Sequence, residues 1–416
     1  MPQAHATSRI ADAQQIVDAA IAHAASSGLH SLTMRDLAQA VGKSTTVIVN
    51  LFGAKSGLIQ SVGEEALRLD AEFHAEFFQS VSGLPIGRDS LLALVRHYLR
   101  RRASDEAGFA RIWEALLVEG ENSAERQDLI RRWDAMRKAA WRDHLSADPR
   151  LAAFSPVLVD FTTIEQFYAG ALQARVDYEV IANEGLGGLI NRAFDQADGP
   201  ATATFWYREN LTLPQAPAAG LEPDSMQVKL LDIAADQILA RGVTALTNRS
   251  VSAVAGTSTS TIAYHWPDMR RFVLDAVWHS VFRDMPRYLA GQRPAGDPAA
   301  ADLDSWARIM APTVSTQPEA EGFYVRYVRL IASACMEARR DPSLRDLVML
   351  LRGPEGGGTY YNSAGVWPAD FDLSRLAATR FALWIKAAAL TACATGTMLS
   401  PMDLQTAARQ LVARHT

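Results

Sequence analysis

A chain of 416 residues exceeds what one hydrophobic core usually organises, so at least two domains are expected. Hydrophobic residues at 49%, charged residues at 21% and a formal net charge of −5 describe an ordinary globular protein, and exclude a strongly basic chain that coats nucleic acid by charge alone. The two cysteines, Cys335 and Cys393, are too few for a disulfide framework or a thiolate metal site and fit a reducing cytoplasm.

The N-terminus up to Gln15 has neither an apolar core nor a cleavage pattern, so no signal peptide is expected. Apolar residues then recur at helical spacing nearly throughout, and no long run alternates as a strand would, which makes the fold class all-α. Ile16, Ala19, Ala20 and Ala24 form the first stripe, and Gly28 ends it as helix C-termini often end. A second helix starts at Thr33, whose hydroxyl is placed to cap it, with Asp36 completing a capping box. Gly42 makes a turn, Ser44 caps a third helix, and Phe52 closes the small core beneath it. A helical pattern rich in aromatics follows, including Trp113, Trp133, Trp141, Phe161, Phe167 and Tyr168. Leu211–Asp224, with Pro214, Pro217, Gly220 and Pro223, reads as an interdomain linker spanning about 40 Å at about 3.1 Å per residue.

Beyond the linker the pattern repeats. Gly28, Leu32, Thr33, Arg35, Gly42, Ser44, Thr45 and Ile48 recur as Gly242, Leu246, Thr247, Arg249, Gly256, Ser258, Thr259 and Ile262, each 214 positions later. The stripe Leu230, Ile233, Ala234 and Ile238 matches the first one, and Leu37 with Val251, Phe52 with Trp266, and Leu58 with Phe272 keep step. Thr247 repeats the cap, but Ser250 stands where the first copy has Asp36, so the capping box is expected to be lost there. The register survives at Gly108-Phe109 and Gly322-Phe323 and then drifts, as a duplication that has diverged would. Gly353–Asp370, which holds Gly356-Gly357-Gly358 and Tyr360-Tyr361, lacks a counterpart in the first half and reads as a mobile loop. Phe381–Leu399 is apolar enough to suggest a membrane span, but a lysine such as Lys386 near its middle costs about 2.5–3.5 kcal/mol on insertion, so a buried bundle helix is expected. The expected organisation is a helix-turn-helix domain at 9–70, a helical regulatory domain at 71–210, the linker at 211–224, a second helix-turn-helix domain at 225–284 and a second helical regulatory domain at 285–416.

Leu32-Thr33-x-Arg35-x-Leu37-Ala38, with Gly42, Ser44, Ile48, Phe52, Lys55 and Leu58, resembles the DNA-binding segment of the TetR family of bacterial transcriptional regulators. Leu246-Thr247-x-Arg249-x-Val251, with Ala255-Gly256, Ser258, Ile262, Trp266 and Phe272, resembles it again. For family members this implies an all-helical subunit in which three N-terminal helices bind DNA and a larger helical domain binds a small molecule and dimerises. One chain then carries both heads of a dimer. The resemblance implies an intramolecular pseudo-dimer, with interface helices in Pro156–Ile181 and Ser374–Gly396, that works as an effector-responsive repressor in the cytoplasm. Effector binding would move the two reading heads away from the roughly 34–36 Å that matches one turn of DNA. The implied partners are a double-stranded DNA operator and an unidentified small-molecule effector, without a membrane; further homodimerisation of the chain stays open.

A recognition helix needs short polar residues at its N-terminal end so that its backbone can approach the groove. Lys43-Ser44-Thr45-Thr46 and Thr257-Ser258-Thr259-Ser260-Thr261 supply them; hydroxyls suit phosphates or base edges, and Asn50 suits adenine. Candidate DNA contacts are therefore Thr33, Arg35, Lys43, Ser44, Thr45, Thr46, Asn50 and Lys55 in the first copy. In the second they are Thr247, Arg249, Thr257, Ser258, Thr259, Ser260, Tyr264, His265 and Arg270. The tyrosine usual in the family's recognition helix is replaced by Val49 and Ala263, and the counterpart of Lys55 is Met269, followed by Arg270 and Arg271. Those departures favour an alternative, a ligand sensor or anti-repressor that keeps the fold and has lost operator binding in one or both copies.

Aromatic stripes of this kind are usually core, but the resemblance adds an apolar effector pocket, for which His97, Trp113, Glu165, Gln166, Phe323 and Tyr327 are the candidates. Gly42-Lys43-Ser44-Thr45 looks like the end of a phosphate-binding loop, yet Leu37 stands where that motif needs glycine and no strand leads in. The nine histidines lack metal-ligand spacing, and no Ser, His and Asp set can be brought together from the sequence. Neither an enzyme, a cofactor nor a metal is expected.

Overall fold

The computed structural model describes residues 2–104, 106–118, 123–213, 215–291, 302–361 and 366–414. Helix α1 (Pro2–Ser27) buries Ile16, Ala20 and Ala24, and it ends at Gly28, whose φ of 82° suits a residue without a Cβ. A 3₁₀ turn, Leu29–Ser31, leads into α2 (Met34–Ala40), whose first turn is capped where the Thr33 hydroxyl accepts from the Asp36 amide at 3.1 Å. Gly42, at φ 65°, turns the chain into α3 (Thr45–Phe52), where Ser44 accepts from the Val47 amide at 3.4 Å. Leu32, Leu37 and Ile48 form the small core of these helices together with Leu58 of α4 (Lys55–Gln79). The first half continues with α5 (Arg88–Ala103), α6 (Gly108–Val118), α7 (Ala124–His144), α8 (Pro149–Leu172), α9 (Val176–Ala193) and α10 (Thr202–Glu209).

The second half repeats the opening. Helix α11 (Met226–Arg241) ends at Gly242, φ 83°, and a turn at Val243–Ala245 leads to α12 (Asn248–Ala255). Gly256, in the left-handed region at φ 69°, precedes α13 (Thr259–His265) and α14 (Met269–Gly291). Leu230, Ala234, Val251, Ile262 and Phe272 are buried as Ile16, Ala20, Leu37, Ile48 and Leu58 are, so the repeat holds in packing as well as in order. Then follow α15 (Leu303–Met310), α16 (Phe323–Arg340), α17 (Arg345–Arg352), α18 (Gly357–Tyr361), α19 (Arg375–Thr395) and α20 (Pro401–Leu411). Among the described residues the β-structure is one two-residue antiparallel pairing of Phe371–Asp372 with Ala413–Arg414.

Four local expectations are corrected. The capping box closes in the second copy: Thr247 Oγ1 accepts from the Ser250 amide, and Ser250 Oγ accepts from the Thr247 amide, both at 3.0 Å. In the first copy the Asp36 carboxylate instead takes the Thr33 hydroxyl at 2.7 Å, because a charged acceptor draws the nearest O–H. Ser258 occupies the cap position of α13 without capping it, since its hydroxyl pairs with Ser260 Oγ at 2.6 Å. Gly353–Asp370 is not a loop throughout: Gly353, Glu355, Gly356 and Gly357 are buried and run into α18, and a Cβ at Gly353 would fall 1.9 Å from the Tyr207 ring. Residues 362–365 of that stretch, and Pro214 of the linker, lie outside the described residues.

Contacts gather the chain into two compact units. One comprises the residues up to Ile86, His97–Pro156 and Ala394–Gly396; the other comprises Gly87–Arg96, Val157–Cys393 and Thr397 onward. The second unit thus contains the later part of α8, α9 and α10 together with the whole of α11–α14. Helix α19 is long and apolar enough to cross a membrane, but 94% of its most apolar window is buried inside the protein. In the first unit, Trp113 and Trp133 pack with ring centroids 5.2 Å apart. Beside them Asp70 is completely buried, holding Arg102 in an ion pair and accepting the Trp133 indole N–H at 2.6 Å.

Candidate functional sites

In the first unit, Thr33, Arg35, Ser44, Thr45, Thr46, Asn50 and Lys55 are all exposed. Ile48 points inward and Val49 is 49% exposed, so α3 turns its polar N-terminal edge and Asn50 outward while one apolar stripe holds it in place. Lys43 is the exception, half-buried and ion-paired with Asp12 at 2.8 Å. In the second unit, Thr247, Arg249, Ser258, Thr259, Ser260 and Arg270 are exposed and Tyr264 is 84% exposed. His265 is half-buried, its ring 5.0 Å from that of Tyr264, and Thr257 is half-buried against Thr261, with their hydroxyls 2.6 Å apart. Arg270 is drawn onto Asp341 at 2.7 Å, and Arg271 onto Asp275 at 3.0 Å.

The second unit also encloses a cavity of about 350 Å³. Trp278 and Val281 of α14, Phe323, Tyr324 and Tyr327 of α16, and Phe381, Ala382 and Lys386 of α19 form its main walls, with Trp367 beside them. Leu211 and Leu213, from the stretch read as a linker, also contribute to the lining, and Leu213 is itself 56% exposed. The polar end is a single ion pair between Lys386 and Glu355, both buried. Burial pushes the Lys386 ammonium down, and the Glu355 carboxylate works against that shift. The ammonium also lies 5.3 Å from the Tyr327 ring centroid, within cation–π range. Glu355 accepts the Tyr168 hydroxyl at 2.8 Å; burial and the neighbouring Glu355 hold that phenol well above its ordinary range, so it stays a donor.

Of the sequence-derived effector candidates, Phe323 and Tyr327 meet on the cavity wall, stacked with centroids 5.1 Å apart. Glu165 does not join them: it is completely buried in an ion pair with Arg352 and accepts from the Tyr178 hydroxyl at 2.9 Å. The Gln166 side chain is buried, and its backbone carbonyl accepts from Arg339 at 3.3 Å. Trp113 and His97 belong to the first unit, the first wholly buried and the second exposed with its ring stacked on Phe77 at 6.0 Å. Glu355, Trp278 and Trp367 escaped the sequence reading. The available signal was Lys386, a charge inside an apolar helix that had to find a partner.

Among the described residues no group of three His, Cys, Asp or Glu side chains is placed to hold a metal ion. Comparison with protein-family models and with curated proteins finds no match to this chain.

Proposed function

We propose that the chain is a DNA-binding transcriptional regulator, an effector-responsive repressor that reads an asymmetric operator with two non-identical helix-turn-helix segments. The observation that carries this reading is the repetition of a three-helix segment with the same glycine turns and the same outward-facing Ser and Thr edge. Helix N-termini offer unpaired N–H groups to phosphates, so a protein of negative net charge can still grip DNA locally. The resemblance of both segments to the TetR family supports the same conclusion.

In this proposal the later part of α8 and α9 act against α16–α19 as dimerisation helices act between two subunits. Glu165 with Arg352, Tyr168 with Glu355, and Gly170, whose missing Cβ leaves room for the Arg339 guanidinium, support that role. Fusion supplies the partner at an effective concentration on the order of millimolar, so assembly does not depend on protein concentration.

A second reading, a sensor or anti-repressor without operator binding, is favoured by the ion pairs that engage Lys43 and Arg270. A gel-shift titration with the DNA flanking the protein's own gene separates the two. The regulator forms a discrete complex that competitor DNA of random sequence does not remove. Equal loss to specific and random competitors, or no complex at low salt, leaves the sensor reading in its place.

A further inference from the structure

We propose that the cavity of the second unit binds one uncharged, ring-bearing, predominantly apolar small molecule, and that each chain carries a single such site. The inference deepens the effector reading of the proposed function, and it is tested without DNA. Six rings, those of Trp278, Phe323, Tyr324, Tyr327, Trp367 and Phe381, line the space, which favours flat ligands that stack.

The charge preference follows from the polar end. Lys386 and Glu355 already neutralise each other out of water, and Tyr168 satisfies a further lone pair of the carboxylate. A ligand bearing net charge has to take one partner away and leave the other charge buried and uncompensated. A neutral hydroxyl, carbonyl or amine can share a hydrogen bond with the pair as it stands. The exposed residues of the lining, Leu213 and Gly358, mark the mouth, so Leu213 forms part of the wall at the entrance.

The proposal of one site per chain rests on the repeat. Phe109 and Phe323 are the last pair named in register, and carrying the same spacing one helical turn further sets Trp113 against Tyr327. Trp113 is wholly buried, with Trp133 5.2 Å away and the Arg137 guanidinium 5.1 Å from its ring centroid. In this proposal the larger Trp113 ring and these neighbours take up the space that Tyr327 leaves open.

The test is a fluorescence titration of the full chain, free of DNA, with N-phenyl-1-naphthylamine and with 8-anilinonaphthalene-1-sulfonate. The two probes share their rings and differ by one anionic sulfonate. The uncharged probe is expected to saturate at one equivalent per chain and to bind about tenfold more tightly than the sulfonate. Leu350→Trp, which adds bulk from a half-buried lining position, is expected to weaken the uncharged probe about tenfold. Ala382→Trp repeats that test from another wall. Glu355→Gln, which leaves Lys386 without its counter-charge, is expected to narrow the gap between the probes. Absence of saturable binding, two equivalents per chain, equal affinities for the two probes, or parental binding by both folded tryptophan variants overturns the proposal. A chain that binds the uncharged probe as described but no DNA upholds this site and overturns the regulator reading; one that binds DNA but not the probe does the reverse.

Discussion

Glu165 of α8 and Arg352 of α17 are both completely buried and are joined by hydrogen bonds of 3.1 to 3.2 Å, although 187 positions separate them in the chain. Burial opposes the charge on Arg352, but Glu165 outweighs it and holds the guanidinium above its ordinary range. The pair binds a helix of the first repeat to one of the second within the same compact unit.

Glu165→Gln keeps the shape and leaves Arg352 without a counter-charge. It should cost about 3–5 kcal/mol of stability, read as a lower urea midpoint at unchanged slope. Replacing both partners, as Glu165→Leu with Arg352→Met, should recover much of that loss, because no lone charge stays buried.

The first unit depends on Asp70 in the same way. Burial alone would raise its pKa, but Arg102 and His74 more than offset this and hold the carboxyl well below the usual carboxylate range. A folded-state pKa below the unfolded value of about 3.9 gives stability that is present above that pH and lost on acidification toward the folded pKa. Asp70→Asn should therefore flatten the acid limb of the stability profile below about pH 4 and lower stability at neutral pH, measured by denaturation across the pH range.

Trp113→Ala should cost about 3–5 kcal/mol through the cavity it leaves. If the folded variant is saturated by N-phenyl-1-naphthylamine, the stoichiometry should rise from one to two per chain, as the proposed equivalence of Trp113 and Tyr327 requires.

Lys55 is exposed at the start of α4. On the proposed function, Lys55→Ala should weaken binding to all DNA sequences alike and reduce the salt slope by about 1, because one phosphate contact releases about 0.9 counterion. Binding isotherms over a range of salt concentrations check it; an unchanged slope removes Lys55 from the interface.

The operator should not be a good palindrome. On the proposed function, one reading edge offers Thr46 and Asn50, and the other offers Ser260, Tyr264 and His265. Each lost base contact typically costs about 1–3 kcal/mol. Asn50→Ala should relax preference in one half-site only, and Tyr264→Ala with His265→Ala in the other. Sequence selection from a random pool decides it, and recovery of a perfectly symmetric site refutes the prediction.

The turns and helix starts of both repeats were legible in the sequence because they depend on neighbours three or four positions away. Gly28, Gly42, Gly242 and Gly256 take positive φ at the expected places, and Thr33, Ser44 and Thr247 cap the helices they precede. Even there, Ser250 completing a box and Ser258 failing to cap show that the choice among nearby hydroxyls is decided by geometry. The apolar helix carrying Lys386 announced a buried charge, but its partner did not follow from the sequence. Glu355 lies 31 positions away, and the assignments of Glu165 to Arg352 and of Glu355 to Lys386 could not be made from spacing. Whether a buried aromatic fills its site, as Trp113 does, or borders an empty one, as Tyr327 does, depends on side chains brought together from remote parts of the chain. Local hydrogen bonds and helical periodicity are written into short stretches, whereas pairing and cavity shape exist only once the chain has packed.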